Sequence, residues 1–164
     1  MRFFFAVWPP AETAARLEAW AAAMEGRRTP AAKIHLTLAF LGAVSPDQAL
    51  AAARGVKGRC HAIPIEKAHY WRHNRVLWVG PRETPPELKA LVEALHGKLE
   101  RAGYVLERRP FAAHVTLARD GRAPANLPPP PAVEWPVNEF TLVQSVISSK
   151  GSVYEIVERF QLQP

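Results

Sequence analysis

Apolar positions along the chain fall into short blocks and longer periodic stretches, and the two kinds alternate. Arg2 to Trp8 is a short aromatic-rich block ended by proline, which predicts a buried strand. Pro10 suits the first turn of a helix, and Ala11 to Met24 is rich in helix formers, with Gly26 as the stop. Ile34 to Leu41 predicts a second strand with Gly42 after it. Ser45-Pro46-Asp47 reads as a helix start, with Ser45 as N-cap, for a helix to about Arg54.

The block between Ala62 and Trp71, then Arg75 to Val79, predicts two strands joined by a turn at His73-Asn74. Thr84 followed three residues later by Glu87 has the form of a capping box. Leu88, Leu91, Val92, Leu95 and Leu99 then recur at helical spacing up to Gly103. Phe111 to Arg119 predicts a further strand, and residues 121–136 a proline-rich surface loop in extended conformation. Phe140 to Ser148 and Val153 to Leu162 predict a final hairpin turning at Lys150-Gly151-Ser152. Hairpins mixed with helices, without regular strand–helix alternation, argue for an α+β fold with largely antiparallel sheets. Each half also holds a long helix followed by a strand with the same His-x-Thr-x pattern. Two similar lobes facing each other would bring both patterns to one cleft.

Composition narrows the class. Hydrophobic residues at 48% and charged residues at 22% give a globular balance in 164 residues, enough for a sizeable core. Lys and Arg outnumber Asp and Glu 21 to 15, a net +6, which favours an anionic partner without identifying it. Cys60, the sole cysteine, excludes an internal disulfide and a cysteine-based zinc site. The apolar run Phe3 to Trp8 is too short for a signal sequence, and no stretch approaches a membrane span. The expectation is a cytoplasmic protein with no membrane association.

The candidate chemistry lies in His35-Leu36-Thr37-Leu38 and His114-Val115-Thr116-Leu117, about half the chain apart. Side chains in a strand alternate between faces, so each histidine shares a face with its threonine while the aliphatic residues pack inward. One such pattern carries little information. Two, in matching elements, suit the opening of a cyclic phosphate. That reaction needs a base for the nucleophile and an acid for the departing ribose oxygen, and two imidazoles supply both without metal. Threonine hydroxyls can donate to phosphate oxygens as charge builds.

The chain resembles the 2H phosphoesterase superfamily, and within it the RNA 2′,3′-cyclic phosphodiesterases historically called 2′-5′ RNA ligases. The residues that carry the resemblance are Arg2-Phe3-Phe4-Phe5-Ala6, His35-Leu36-Thr37-Leu38 with Phe40-Leu41-Gly42, and Arg109-Pro110-Phe111 leading into His114-Val115-Thr116-Leu117-Ala118-Arg119. Ser145, Ser149, Gly151 and Tyr154 match near the end. The likeness covers essentially residues 1–164, read as a single bilobal domain. It implies two lobes with antiparallel sheets flanked by helices, facing each other across a central cleft. It also implies hydrolysis of an RNA terminal 2′,3′-cyclic phosphate to a 2′-phosphate, with His35 as proton donor and His114 as proton acceptor. The motifs themselves are too symmetric to assign those two roles. Weak reversible 2′-5′ ligation is an allowed side activity. Ala113 stands where the family usually has proline, and Thr29-Pro30-Ala31-Ala32-Lys33 departs from its usual polar lead-in.

Thr37 and Thr116 are the expected phosphate ligands. The resemblance adds Arg119 and Tyr154, although strict alternation puts Arg119 on the face opposite His114 unless the strand bends. Arg72, His73 and Arg75 at the turn could grip an RNA backbone or simply be solvated. His69, Tyr70, Trp71 and His73 fit a hairpin with aromatic core residues better than a stacking platform. His61 and His96 have no partner at motif spacing. No metal site, glycine-rich phosphate loop or cofactor is expected. The expected partners are RNA 3′ ends or small nucleotides with a 2′,3′-cyclic phosphate, met by a monomer. A non-catalytic module that binds nucleotides or RNA ends, and a phosphodiesterase for another cyclic or 2′-5′-linked nucleotide, are the alternatives.

Overall fold

The computed structural model describes residues 1–164. The first half runs β1 (Arg2–Val7), α1 (Ala11–Ala21), β2 (Arg27–Arg28), a 3-10 turn (Ala31–Lys33), β3 (Leu36–Gly42), α2 (Asp47–Arg54), β4 (His61–Ile65) and β5 (Lys67–Trp71). The second runs β6 (Val76–Gly80), α3 (Pro86–Arg101), β7 (Val115–Arg119), β8 (Val133–Val137), β9 (Glu139–Ser148) and β10 (Gly151–Gln161). The fold is α+β. One sheet is ordered β10-β9-β1-β3, a second β2-β7-β6-β5, and β4 pairs with β8. All these ladders are antiparallel.

The two four-stranded sheets repeat a unit. In each, an apolar strand (β1 or β6) leads through a long helix into a His-x-Thr strand (β3 or β7) that pairs back on it. The helices cross over: α1 approaches β7 of the other sheet, and α3 approaches β3. Apolar residues of both sheets and all three helices merge into one core cluster, among them Phe5, Leu17, Leu36, Leu38, Val115 and Leu117.

The two His-x-Thr strands share a distortion. Ala6 pairs with Thr37 and Phe5 with Ala39, so Leu38 has no β1 partner. Trp78 pairs with Thr116 and Leu77 with Ala118, so Leu117 has no β6 partner. Each is a β-bulge, which interrupts the alternation of faces. Burial follows the same sequence over Ile34–Phe40 and Ala113–Arg119: buried, half-buried, buried, half-buried, buried, buried, exposed. The last residue of each run, Phe40 and Arg119, therefore rejoins the face of its threonine.

Several elements differ from the sequence pattern. The strand predicted over Phe111 to Arg119 begins only at Val115, because residues 111–114 lie outside the ladder. The block from Ala62 to Trp71 is divided between two sheets, β4 and β5. Residues 121–136 are not all loop: Val133 onwards forms β8, whose Val133, Trp135 and Val137 are buried on alternate positions opposite β4. The capping box expected at α3 does not form, whereas at α2 the Ser45 hydroxyl accepts a long hydrogen bond, 3.5 Å, from the Asp47 amide. The Tyr104 hydroxyl reinforces that end of α2, accepting from the Ala49 amide (2.9 Å) and donating to the Ser45 carbonyl (2.7 Å).

The end of β7 is fixed by a close backbone crossing. β2 pairs Arg27 with Arg119 and Arg28 with Ala118. Gly26, at φ 99°, makes this approach possible: a Cβ there would overlap the Arg119 carbonyl and meet the Gly121 nitrogen at 2.6 Å. Gly26→Ala is expected to destabilise the fold by roughly 2–4 kcal/mol, from combined backbone strain and overpacking. Chemical denaturation should show it as a lower midpoint with an unchanged slope.

Candidate active site

β3 and β7 approach each other, and a cleft of about 440 Å³ opens beside them. Its walls include Thr37 and Phe40 from the first motif, His114 from the second, and Trp71, His96 and Phe111. Leu36 and Val115 anchor the two strands at 0% exposure on the opposite face.

Both histidines are held in the same way. His35 Nδ1 lies 2.7 Å from the Lys33 carbonyl oxygen, and His114 Nδ1 lies 2.8 Å from that of Ala112. A carbonyl can only accept, so Nδ1 carries the proton in each ring and Nε2 of the neutral imidazole is the bare acceptor. At His35 that acceptor takes the Thr37 hydroxyl at 3.1 Å. Thr116 stands two residues along the strand from His114, half-buried and opposite Trp78 in the ladder.

Aromatic rings fix the imidazole planes. Phe4, Trp8 and Tyr154 surround His35, with centroids at 5.0, 5.1 and 5.6 Å. Trp8 is itself tied by its indole N–H to the Thr141 hydroxyl at 2.9 Å. His114 packs on Trp71 at 4.8 Å and on Trp78 at 6.1 Å. The first ring is therefore the more enclosed of the two.

Burial pushes both imidazoles below the ordinary histidine range, because a charged ring is poorly solvated there. The upstream carbonyls oppose this, and the Arg119 charge pushes both rings further down. His114 also opposes protonation of His35, while Glu107 favours protonation of His114. One guanidinium thus acts on both rings. The bulge at Leu117 explains how: it returns Arg119 to the His114 face, which strict alternation would have denied it.

Other sequence-predicted residues separate here. Tyr154 is half-buried and edge-on to His35, with Lys33 Nζ 5.5 Å over its ring centroid. Lys33 also donates to the Ser152 carbonyl, joining the 3-10 turn to β10. His73 lines the cleft, whereas Arg75 turns away and donates to the Asp120 carbonyl at 2.6 Å. Arg72 and His69 are exposed, and His69 packs on Trp78 at 5.7 Å. Trp71, expected as a core residue, is half-buried and serves as a wall for His114. His61 lies apart, its Nδ1 donating to the Arg59 carbonyl at 2.8 Å.

Sequence reasoning overlooked Phe40 as a site residue. It is 54% exposed, unusual for a phenylalanine, and lies on the cleft. Aligning His35-Leu36-Thr37-Leu38-Ala39-Phe40 with His114-Val115-Thr116-Leu117-Ala118-Arg119 would have exposed it as the counterpart of Arg119.

Known proteins share this arrangement. The family model described as LigT like Phosphoesterase matches residues 7–78 and again 79–154, one match for each half. The chain is 35% identical over 170 residues to a protein of Escherichia coli (strain K12) named RNA 2′,3′-cyclic phosphodiesterase, covering 98% of this chain and 96% of that one. A protein of the same name from Thermus thermophilus is 33% identical over 186 residues, covering 99% of this chain and 91% of that one. The crystal structure of E. coli LigT complexed with 3′-AMP superposes with a TM-score of 0.93 at 33% identity, over 99% of this chain and 98% of that one.

Replacing Arg119 by alanine removes a charge that opposes protonation of both rings. In an NMR titration the His35 and His114 pKa values should therefore both rise in Arg119→Ala. A rise at one ring alone would show that the guanidinium serves only that side.

Proposed function

We propose that this chain, which belongs to the LigT-like phosphoesterase family, hydrolyses a terminal 2′,3′-cyclic phosphate on RNA to a 2′-phosphate. The observation that supports this most is the matched pair of imidazoles, each with Nδ1–H committed to the backbone and Nε2 left as the acceptor, under the charge of one arginine. The relatives' shared name points the same way, as does the 3′-AMP held by E. coli LigT. Residues 1–164 act as one bilobal unit in this reading, since each helix braces the other half's His-x-Thr strand.

His114 Nε2 takes a proton from water, whose oxygen attacks phosphorus. The bond from phosphorus to the 3′ oxygen breaks, and His35, protonated at Nε2, gives that oxygen its proton. The product carries a 2′-phosphate and a free 3′-hydroxyl, and the enzyme is left with its two protonation states exchanged. The environments support this division of roles. Nothing in the chain occupies Nε2 of His114, whereas Nε2 of His35 is already engaged by Thr37. Protonation of His35 turns Nε2 into a donor and releases the Thr37 hydroxyl toward a phosphate oxygen. Thr116 and Arg119 stabilise the remaining charge, and Tyr154 holds the His35 ring edge-on. Preorganised donors of this kind matter most as charge grows in the transition state. Two imidazoles cover both proton transfers, so the mechanism calls for no metal. The same attack by a ribose 5′-hydroxyl in place of water, with the 3′ oxygen again leaving, would give a 2′-5′ linkage. The terminal nucleoside lies in the cleft with its base against Phe40.

In the free protein both rings favour the neutral form, while the acid must be protonated. An anionic phosphate favours imidazolium, so binding should raise the pKa of both rings. The kcat profile is therefore expected to be bell-shaped and centred at higher pH than that of kcat/KM. A kcat independent of pH between about 4.5 and 8.5, roughly two units either side of the usual histidine value, would rule out paired imidazole acid and base.

A 2′,3′-cyclic-ended oligonucleotide incubated with the protein in EDTA should yield a 2′-phosphate. His35→Ala and His114→Ala should each cut kcat by about 10²–10⁴-fold. Dependence on added metal would overturn the mechanism, and tight binding without turnover would make the chain a binding module. Phe40→Ala should raise KM roughly 5- to 100-fold, the equivalent of losing one base–aromatic stack, and leave kcat nearly unchanged.

A further inference from the structure

The two His-x-Thr strands differ on their outer edges. β7 has β2 beside it, and the chain just beyond β2 serves its bulge: the Thr29 amide donates to the Leu117 carbonyl at 2.8 Å, and the Thr29 hydroxyl to that of Thr116 at 3.1 Å. β3 is the last strand of its sheet and has no such neighbour. The residue matching Leu117 is Leu38, the bulged position of β3. Its carbonyl accepts instead from a side chain, His96 Nε2, at 2.7 Å.

His96 sits on α3 beside the buried stripe of Leu88, Leu91, Val92, Leu95 and Leu99, so its ring reaches the edge of β3 while also lining the cleft. An open bulge at a sheet edge has a loose backbone, because the unpaired groups can turn to water. The Leu38 bulge is what turns Phe40 into the cleft. We propose that His96 is a positioning residue for substrate binding, standing in for the missing strand beside β3 and locking its bulge. It does for the first motif what Thr29 does for the second. This rests on the reading of the cleft as the nucleotide site, and it assigns to α3 a part in forming that site.

Since a carbonyl only accepts, the ring must be the Nε2–H tautomer. Long-range proton–nitrogen spectra of the wild-type protein should show that tautomer for His96, with a slowly exchanging proton; the Nδ1–H tautomer would overturn the proposal without any mutation. His96→Leu, which keeps bulk and loses the donor, should raise KM for a 2′,3′-cyclic nucleotide at least about five-fold, with kcat within about two-fold. Amide exchange at Ala39 and Phe40 should quicken about ten-fold in the same variant. His96→Gln, which can still donate, should recover most of both losses. A His96→Leu variant with a lower melting temperature but wild-type KM and wild-type exchange at Ala39 and Phe40 would make His96 merely structural. Absence of turnover in the wild type would instead sink the functional reading, and the tautomer and exchange measurements would still decide the role of His96.

Discussion

The imidazoles of His35 and His114 each donate a hydrogen bond from Nδ1 to a backbone carbonyl two residues upstream, and the rest of the site depends on that contact. It sets the tautomer, and the flanking rings complete the aim of the free nitrogen. The carbonyl can serve this purpose because Lys33 and Ala112 precede the strands and are not used in a ladder. The late start of β7 is thus part of the site's construction. A ladder extended back over Ala112 would compete for the same oxygen.

The symmetry between the two halves is close in backbone and incomplete in side chains. Bulge, burial sequence and imidazole tether recur in both. The sixth residue of the motif is Phe40 in one half and Arg119 in the other, at corresponding positions after the bulge. One half therefore offers an apolar face and the other a cation, a pairing suited to a nucleoside monophosphate end. The aromatic surroundings differ as well. Three rings enclose His35 and two flank His114, so the first imidazole is more shielded and the second more available to solvent. Neighbours outside the repeat, Tyr154 at one ring and Trp71 at the other, make its two copies unequal.

The crossed helices give this geometry its rigidity. With α1 against β7 and α3 against β3, neither half can shift its His-x-Thr strand without disturbing a helix from the other. The merged apolar core extends this dependence through the molecule. Basic charge plays a narrower part. Among the cations, Arg27, Arg54, Arg109, Arg122 and Arg159 are balanced by carboxylates at the surface. Such exposed pairs add little stability, and Arg119 stands out by acting on both motif imidazoles.

Much of this was readable from the chain. Period-two alternation placed each histidine with its threonine over an aliphatic pair, and helical spacing located α3, because local patterning reports which face must be dry. Duplication was visible too, as one short pattern repeated in matching elements. Other features had no local signal. The split of residues 62–71 between sheets and the pairing of β8 with β4 depend on partners far along the chain. A bulge arises from two strands that cannot keep register, so Arg119 and Phe40 could not be placed from one strand's alternation. The part played by His96 depends on an absent neighbour at a sheet edge, which a sequence does not record. Residue types and their spacing determined which chemistry the chain could carry; register, edge and crossing, set by contacts remote in sequence, decided which side chains meet across the cleft.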